Sequence, residues 1–294
     1  MSEGRRLRRR EVLFALGALV PACRGRGSFG AGSEARVVSI SPSTTEAVFA
    51  VGAGAQLVGR SRHCDYPPEA ARLPGVGGFA DPSIEAILAL APTLVVGARG
   101  PAGPVLEQAL RDHAITTFFP ETESMAQIDA ALLELGRLLR REDAAKAVVD
   151  AIGARIRTVE QAVASRTKVR TVLLFDVAPI VVAGPGGFPD ELIRRAGGIN
   201  AIVRGGAYPT IGLEHLLALD PDVLLDGSTD AQEGARGVLN LRNAPGWREL
   251  RALREGRVRG LDTSAALRPG PRIGEGLAEM ARALHGGEML GVTP

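Results

Sequence analysis

The chain has 294 residues, of which 45% are hydrophobic and 23% charged. This length suits two lobes of about a hundred residues each, and the apolar content excludes a disordered chain or a coiled-coil fibre. The formal net charge is +2, but five arginines and two glutamates lie in the first 22 residues, and the remainder carries 30 basic and 31 acidic residues. A remainder of net charge −1 has no basic field that would attract nucleic acid.

The amino terminus has the pattern of an export signal over residues 1–22. Its arginines precede an apolar stretch, Val12–Val20, that is too short to span a bilayer, which needs about 20 residues. The tetrad at 20–23 resembles a bacterial lipobox, which predicts lipidation of Cys23. Arg9 and Arg10 also resemble a twin-arginine export signal. The alternative, an ordinary Cys23 near a cleaved signal, stays open.

The cysteine content agrees with export without a disulfide. Cys23 and Cys64 are the two cysteines of the chain, so a lipid on Cys23 leaves Cys64 without a partner. Two cysteines do not make a structural zinc site. Residues 23–35 are rich in Gly and Ser, which predicts a flexible tether.

After the tether, short β-branched runs alternate with segments of helical spacing. The patterns predict strands at 36–40, 57–59, 94–97 and 116–119, and helices at 44–51, 83–91 and 103–113. Alternating strands and helices are typical of a parallel sheet with helices on its faces.

From 124 to 166 the pattern becomes helical throughout, without proline. A break near 140–143 separates a first helix from a second at about 143–165, which would be roughly 35 Å long at 1.5 Å per residue. A helix of this length is long enough to run along two lobes. The alternation then resumes, with strands predicted at 171–175, 223–225 and 257–258, and helices at 189–196, 213–219 and 272–285.

An internal repeat indicates that the two lobes are alike. Residues 84–94 align with residues 213–223 at an offset of 129, with Glu, Leu, Ala, Leu and Pro identical in both. In each copy a short helix ends before a proline and leads into a buried strand. We therefore predict an α/β protein divided into an N-terminal lobe (36–140), a bridging helix (141–166) and a C-terminal lobe (167–288).

The repeat places one glutamate in the same position of each lobe. Ser83 and Gly212 are suitable N-cap residues, so Glu85 and Glu214 fall in the first helical turn. Each carboxylate there complements the helix dipole, worth about 0.3–1 kcal/mol when exposed. Alternatively, the two form acidic knobs on the lobe tips that pair with arginines of a two-fold symmetric partner. The residues alone leave both interpretations open.

Several motifs in order resemble a known family. They are Val38–Glu46, Cys64–Glu69, the two helix–proline–strand repeats, Ala196–Asn200 and Arg268–Arg272. The sequence resembles the bacterial substrate-binding lipoproteins of ABC importers for cobalamin, haem and iron–siderophores, and particularly their cobalamin-binding branch. The resemblance implies two Rossmann-like lobes joined by a single long backbone helix (class III), with ligand held between lobes that move little.

The resemblance also implies roles for individual residues. It assigns transporter docking to Glu85 and Glu214, and it places ligand contacts at the carboxyl ends of strands. Those ligand-binding residues are His63, Phe79, Phe175, Tyr208, Ser264 and Arg268. A corrin or porphyrin is a flat, mostly apolar plate, which needs aromatic walls and a few polar groups at its rim.

Each assignment has a plainer alternative. Phe79 and Tyr208 would otherwise fill a loop of their own lobe, and Arg268 would be a solvated surface residue. His63 stands where cobalamin binders of the family often have tyrosine, and it would either hydrogen-bond a corrin side chain or ligate a haem iron or cobalt. Ala196 replaces a disulfide cysteine of some relatives, which fits the cysteine count.

The function expected from the sequence is capture of cobalamin for import. No hydrolase or redox motif is present, so we expect no enzyme, no intrinsic cofactor and no metal site. The alternatives are a haem or ferric-siderophore binder of the same fold and, less favoured, a metal-ion binder. The expected partners are a dimeric ABC permease with its ATPase subunits and the membrane, through a lipid anchor on the periplasmic or cell-surface side. We expect a monomer that does not bind nucleic acid.

Overall fold

The computed structural model describes residues 34–286, apart from 100–102, 229–236, 242 and 262. The predicted signal and Cys23, with all but the last two residues of the predicted tether, lie outside the described residues. None of the helices in the described part is both long and apolar enough to cross a lipid bilayer.

The N-terminal lobe (N-lobe) is built on a parallel four-stranded sheet with strand order β2-β1-β3-β4. Its strands are β1 (Val37–Ser39), β2 (Leu57–Arg60), β3 (Leu94–Val96) and β4 (Thr116–Phe118). Its helices are α1 (Pro42–Ala50), α2 (Ile84–Ala89) and α3 (Gly103–Asp112). The order reverses between β1 and β3, and such a switch point opens a crevice at the carboxyl ends of the strands.

Two antiparallel helices follow, α4 (Met125–Leu139) and α5 (Glu142–Val163). The predicted break between them is confirmed, since Arg140 ends α4 in the left-handed region with φ 56°. Gly136 lets the helices approach closely, because a Cβ added there would lie 2.3 Å from the Cβ of Ala145. The 22 residues of α5 span about 33 Å.

The C-terminal lobe (C-lobe) repeats the N-lobe topology and adds a hairpin. Its strands are β5 (Val169–Val177), β6 (Ile180–Val182), β7 (Gly198–Asn200), β8 (Thr210–Ile211), β9 (Val223–Asp226) and β10 (Val258–Gly260). Its helices are α6 (Phe188–Arg195), α7 (Leu213–Leu219), α8 (Gly237–Asn240), α9 (Arg251–Arg254), α10 (Thr263–Ala266) and α11 (Ile273–His285). The parallel strands lie in the order β7-β5-β9-β10, which matches β2-β1-β3-β4.

Strands β6 and β8 form the added hairpin, and the sequence analysis did not predict them. Strand β6 pairs antiparallel with β5, and β8 pairs antiparallel with β6, so they extend the C-lobe sheet. The predicted fold class is confirmed: two α/β lobes are joined by one long helix.

One apolar core runs through both lobes and the bridging helix. It contains Val37 of β1, Leu135 of α4, Ile156 of α5, Leu173 of β5 and Leu277 of α11. Helix α5 packs against α1 and α4 on one side and against α6 and α11 on the other. Because its apolar residues are buried against both lobes, rotation of one lobe relative to the other would expose this core to water.

Candidate ligand cleft and docking surface

The crevice between the lobes has a closely packed floor. The Pro269–Gly270 segment of the C-lobe lies against the first turn of α1, where a Cβ added to Gly270 would meet the Ser43 carbonyl oxygen at 3.3 Å. A cavity of about 20 Å³ remains there, lined by residues of both lobes including Phe118 and Ile128. The lobes therefore touch beneath the carboxyl ends of their strands.

The first family motif forms a buried hydroxyl cluster that fixes the start of α1. Ser39 Oγ and Ser41 Oγ each lie 2.8 Å from Thr44 Oγ1, and Thr45 Oγ1 donates to Ser39 Oγ at 2.8 Å. Ser41 Oγ also accepts the backbone N–H of Ala98 beyond β3, at 3.0 Å. These bonds satisfy polar groups that would otherwise be buried without partners, and they hold α1 at the end of the sheet.

The same motif ends in a carboxylate that joins the lobes. Glu46 of α1 is 3% exposed, and Oε1 and Oε2 accept hydrogen bonds from two arginines of the C-lobe. Arg268 donates through Nη1 at 2.9 Å, and Arg272 donates through Nε at 2.7 Å and Nη2 at 2.8 Å. The hydrogen bond with Glu46 raises the pKa of Arg272.

The family motif Cys64–Glu69 adds a second carboxylate, Asp65. We term the four residues Glu46, Asp65, Arg268 and Arg272 the interlobe ion cluster. Asp65 Oδ1 accepts from Arg268 Nη1 at 2.9 Å. The neighbouring Tyr66 places its ring 4.0 Å from the Arg272 guanidinium carbon, in cation–π geometry. Two carboxylates face two guanidinium groups, so the cluster carries no net charge.

Arg268 is therefore not the solvated surface residue of the plainer alternative. Its side chain is 21% exposed and is held by carboxylates of the N-lobe. Sequence analysis missed its partner Glu46. The available signal in the sequence was that Glu46 is the one charged residue of the predicted helix at 44–51.

His63 and Phe79 lie in two connections of the N-lobe that are bonded to each other. His63 is exposed beyond β2, and its backbone N–H donates to Ser61 Oγ at 3.3 Å. Phe79 is half-buried in the second connection. Arg62 joins the two connections, since its backbone N–H donates to the Gly77 carbonyl at 2.8 Å and its guanidinium pairs with Asp81. In the described part of the chain, no ring contact or hydrogen bond links His63 or Phe79 to the aromatic residues of the C-lobe.

Phe175 and Tyr208 do come together, on the C-lobe. Their ring centroids are 5.5 Å apart at an interplanar angle of 62°, an edge-to-face contact. Phe175 is half-buried near the end of β5, while Tyr208 keeps 43% of its surface exposed. The Tyr208 hydroxyl donates to Glu123 Oε2 at 2.8 Å. We term this pair of rings the aromatic wall.

The position of Tyr208 depends on glycine. Gly205 and Gly206 adopt φ of 107° and 84°, which turns the chain sharply before Ala207. Gly184 lies under this turn, and a Cβ there would lie 2.1 Å from the Gly206 carbonyl oxygen. Burial, with the hydrogen bond to Glu123, raises the pKa of Tyr208 well above its ordinary value.

Ser264 lies in α10, and its side chain is outside the described part of the molecule. Within the residues that the structure describes, no group of three or more His, Cys, Asp or Glu side chains is arranged to hold a metal ion. Cys64 is a buried free thiol.

Glu85 and Glu214 occupy equivalent places on the two lobes. Each is exposed in the first turn of its helix, α2 or α7, as predicted. Ser83 caps α2 by accepting the Ala86 N–H at 3.2 Å, whereas Gly212 caps α7 without a side chain. Neither carboxylate has a hydrogen bond or ion pair with any residue that the structure describes. Both are therefore free to meet a cationic partner.

A duplicated arginine supports the carboxyl end of each of these helices. Arg36 Nη2 donates to the Leu90 carbonyl at 2.7 Å, and Arg170 Nη2 donates to the Leu219 carbonyl at 3.1 Å. These carbonyls are related by the offset of 129, but the arginines are 134 apart, so the alignment of the repeat did not reveal them. The bonds tie each helix to the first strand of its own lobe.

The residues that follow Pro92 and Pro221 make equivalent hydrogen bonds in the two lobes. Thr93 Oγ1 accepts the backbone N–H of Arg36 at 2.9 Å, and Asp222 Oδ2 accepts that of Arg170 at 3.1 Å. Ala91 and Asp220, which precede the prolines, both adopt the left-handed region. The lobes thus share a detailed local structure as well as a strand order.

Comparison with known families identifies the chain. Residues 37–265 match the family described as periplasmic binding protein. The chain belongs to the periplasmic binding protein family. As a member of this family it is a solute-binding protein of the ABC-transporter type, which works with a permease and an ATPase and takes a small-molecule ligand on the periplasmic side.

Relatives of this periplasmic binding protein differ in ligand. It is 27% identical over 241 residues to the vitamin B12-binding protein of Vibrio cholerae serotype O1, covering 81% of this chain and 84% of that one. The crystal structure of the Vibrio cholerae vitamin B12-binding protein BtuF superposes with a TM-score of 0.73 at 25% identity, covering 85% and 96% of the two chains. The apo heme-binding protein RhuT of Roseiflexus sp. RS-1 superposes with a TM-score of 0.76 at 28% identity, covering 86% and 98%.

Proposed function

We propose that this protein captures a corrinoid, cobalamin, between its lobes and delivers it to a dimeric permease. The ligand-binding residues in this proposal are His63, Phe79, Phe175, Tyr208, Ser264 and Arg268. The observation that carries the proposal is the aromatic wall, formed by Phe175 and Tyr208 near the carboxyl end of β5. It is supported by the similarity to vitamin B12-binding proteins.

Ion pairs near the predicted ligand-binding residues favour a ligand with an uncharged, amide-bearing rim. Arg62 pairs with Asp81, Arg99 with Glu121, and Arg268 with Glu46 and Asp65. An anionic ligand would meet these carboxylates as well as the arginines, and burying a charge without its own partner is costly. A neutral amide instead needs hydrogen bonds, which Arg268 supplies through the guanidinium N–H groups that have no partner among the described residues.

Haem is the second candidate, and one residue favours it. Arg204 is exposed in the connection between β7 and β8, and its guanidinium has no carboxylate partner among the described residues. An exposed arginine without a carboxylate partner can form an ion pair with a propionate group of haem. The similarity to a heme-binding protein supports the same alternative.

Titration of the purified protein with cyanocobalamin, haemin and a ferric hydroxamate tests the choice. We expect calorimetry to show tight binding of cyanocobalamin that weakens at least about tenfold in Tyr208→Ala or Phe79→Ala, the equivalent of about 1.4 kcal/mol. Leu133→Ala is the matched control, since Leu133 of α4 has the same 43% exposure as Tyr208. If cyanocobalamin does not bind and haemin binds with a shift of its Soret band, the proposal is wrong.

The proposal extends to docking and anchoring. Glu85 and Glu214 dock the two lobes onto the permease dimer, and Cys23 carries a lipid that holds the protein at the membrane surface after export. The exposure of both glutamates, with no partner among the residues that the structure describes, supports docking. A Cys23→Ser variant should move from the membrane fraction to the soluble fraction, because a covalent lipid is then absent.

A further inference from the structure

Glu123 stands at the start of α4 and is held there by the cap of that helix. Ser124 is the N-cap, and its Oγ accepts the Gln127 N–H at 3.3 Å. Gln127 Oε1 reaches back to accept the Glu123 N–H at 2.8 Å. This arrangement is a variant of the capping box, and it fixes the backbone of Glu123.

The start of α4 is in turn bonded to the C-lobe. The Met125 N–H donates to Glu191 Oε2 of α6 at 3.1 Å. Arg195 bonds both Glu191 and Glu160, which joins α6 to the bridging helix α5. Glu123 therefore keeps its place relative to the C-lobe, although it precedes that lobe by more than forty positions in the chain.

A glycine makes room for the carboxylate beside Tyr208. A Cβ added to Gly187 would lie 3.4 Å from Glu123 Oε2 and 3.1 Å from the Cβ of Ala207. An alanine at this position would press on Ala207 of the tyrosine loop and would reach van der Waals contact with the glutamate. The contact between Tyr208 and Glu123 thus belongs to a built site with several supporting residues.

The direction of the Tyr208 hydrogen bond limits what the phenol offers a ligand. A phenol has one O–H to donate, and here the carboxylate, which only accepts, takes it. The remaining lone pairs of the oxygen accept hydrogen bonds. A ligand group facing this oxygen must therefore be a donor such as an amide N–H, since a carboxylate or a carbonyl offers no proton.

The same bond opposes metal binding by Tyr208. A tyrosine ligates ferric iron as the phenolate, which requires loss of the proton. The adjacent negative charge of Glu123 disfavours a second negative charge on the phenol oxygen. The raised pKa of Tyr208 agrees with this argument.

We propose that Glu123 is a positioning residue that determines the ligand class of the cleft. It holds Tyr208 as a neutral hydrogen-bond acceptor, which selects a ligand with neutral N–H donors at its rim and excludes iron ligation by the phenol. This inference rests on the proposed function, because it assumes that the aromatic wall faces the ligand. Neither the family motifs nor the internal repeat includes Glu123.

The first test needs no ligand. The chain has two tyrosines, so Tyr66→Phe leaves Tyr208 as the reporter of tyrosine ionisation by ultraviolet absorbance. Adding Glu123→Gln should lower the midpoint of ionisation by about one pH unit, because both the charge and the strong acceptor are removed. Glu134→Gln removes a charge from the exposed face of α4 and should leave the midpoint unchanged. An unchanged midpoint in Glu123→Gln overturns the inference.

The second test compares cyanocobalamin with haemin. Glu123→Gln should shift the ratio of the two dissociation constants by about tenfold toward haemin, since the phenol then becomes free to donate or to ionise. An unchanged ratio, or a tyrosinate–iron band in wild-type protein that Tyr208→Phe removes, overturns the inference. If wild-type protein does not bind cyanocobalamin, the proposed function is refuted, but the role of Glu123 is not. The tyrosine titration and the effect of Glu123→Gln on haemin affinity still test that role.

Discussion

Glu46 and Arg268 are 222 positions apart in the chain, yet a hydrogen bond of 2.9 Å joins them across the two lobes. The Glu46 side chain is 2% exposed and also bonds Arg272. A buried carboxylate between two guanidinium groups fixes the spacing of the lobes beneath the cleft. Together with the shared core around α5, it opposes movement of one lobe relative to the other.

Removing the charge of Glu46 should destabilise the protein. Glu46→Gln removes the charge of the buried carboxylate that both Arg268 and Arg272 bond, and we expect the free energy of unfolding to fall by about 3 kcal/mol. Urea denaturation measures this free energy of unfolding. Glu69→Gln, an exposed carboxylate, should change it by less than about 0.5 kcal/mol. A loss below about 1 kcal/mol in Glu46→Gln would show that the interlobe ion cluster does not hold the lobes together.

Reversing the charge of both predicted docking residues should abolish import. In Glu85→Arg with Glu214→Arg, each lobe would present a cation to the arginines that the docking proposal places on the permease, and like charges at an interface cost several kcal/mol. Ligand affinity should be unchanged, since both residues lie outside the cleft. Uptake of labelled cobalamin in cells, with calorimetry of the purified variant, separates the two effects. Persistent uptake would refute the docking assignment.

Arg36 and Arg170, which bond the carboxyl ends of α2 and α7, should contribute independently to stability. Arg36→Ala removes bonds to the carbonyls of Leu90 and Ala91, and Arg170→Ala removes the bond to the Leu219 carbonyl. We expect each to lower the free energy of unfolding by about 1 kcal/mol, because both side chains are exposed. Their effects should add within about 0.5 kcal/mol, since they lie in different lobes. Urea denaturation of the two single variants and the double variant tests this. Marked non-additivity would indicate that the lobes communicate through these sites.

His285 makes stability depend on pH. Burial, together with the charge of Arg166, lowers its pKa below the ordinary 6.5, although the bond to the Ala196 carbonyl opposes this. A lowered pKa means that the folded state holds the proton less tightly than the unfolded state. The contribution is therefore present above about pH 6.5 and is lost as the pH falls through the folded pKa.

His285→Gln keeps a side-chain N–H but does not titrate, so it isolates this effect. Between pH 8 and pH 5, unfolding free energies should fall more steeply for wild type than for the variant, by at most about 1.4 kcal/mol per pH unit. Parallel curves for the two proteins would contradict the assignment of the shift to His285.

Local features of this chain could be predicted from its sequence because they depend on neighbouring residues. The apolar runs at β1, β3 and β9 identify buried strands, and the prolines at 92 and 221 end α2 and α7. Helix α7 has the predicted bounds, and α5 lies within one or two residues of the predicted helix. The internal repeat showed that two lobes share one topology.

Other elements were missed because their signals are weak. Strands β6, β7 and β8 have two or three residues each, too few for a period to be recognised. The equally short β1, β3 and β4 were predicted from runs of apolar or β-branched residues, a signal that Ile180–Val182 of β6 also carries and that was overlooked. The short helices α8, α9 and α10 of the C-lobe have four residues each and were missed for the same reason. The C-lobe hairpin depends on pairing with β5, which the local sequence does not reveal.

The sequence by itself determined the fold class, the repeat and the two matching glutamates, because periodicity, helix capping and chain breaks are properties of short segments. Only the tertiary structure decided which charges meet. Glu46 with Arg268 and Glu123 with Tyr208 are partners because folding brings together segments that are far apart in the chain. Attraction between charges and the direction of a hydrogen bond depend on distance in space, and no pattern along the chain encodes that distance.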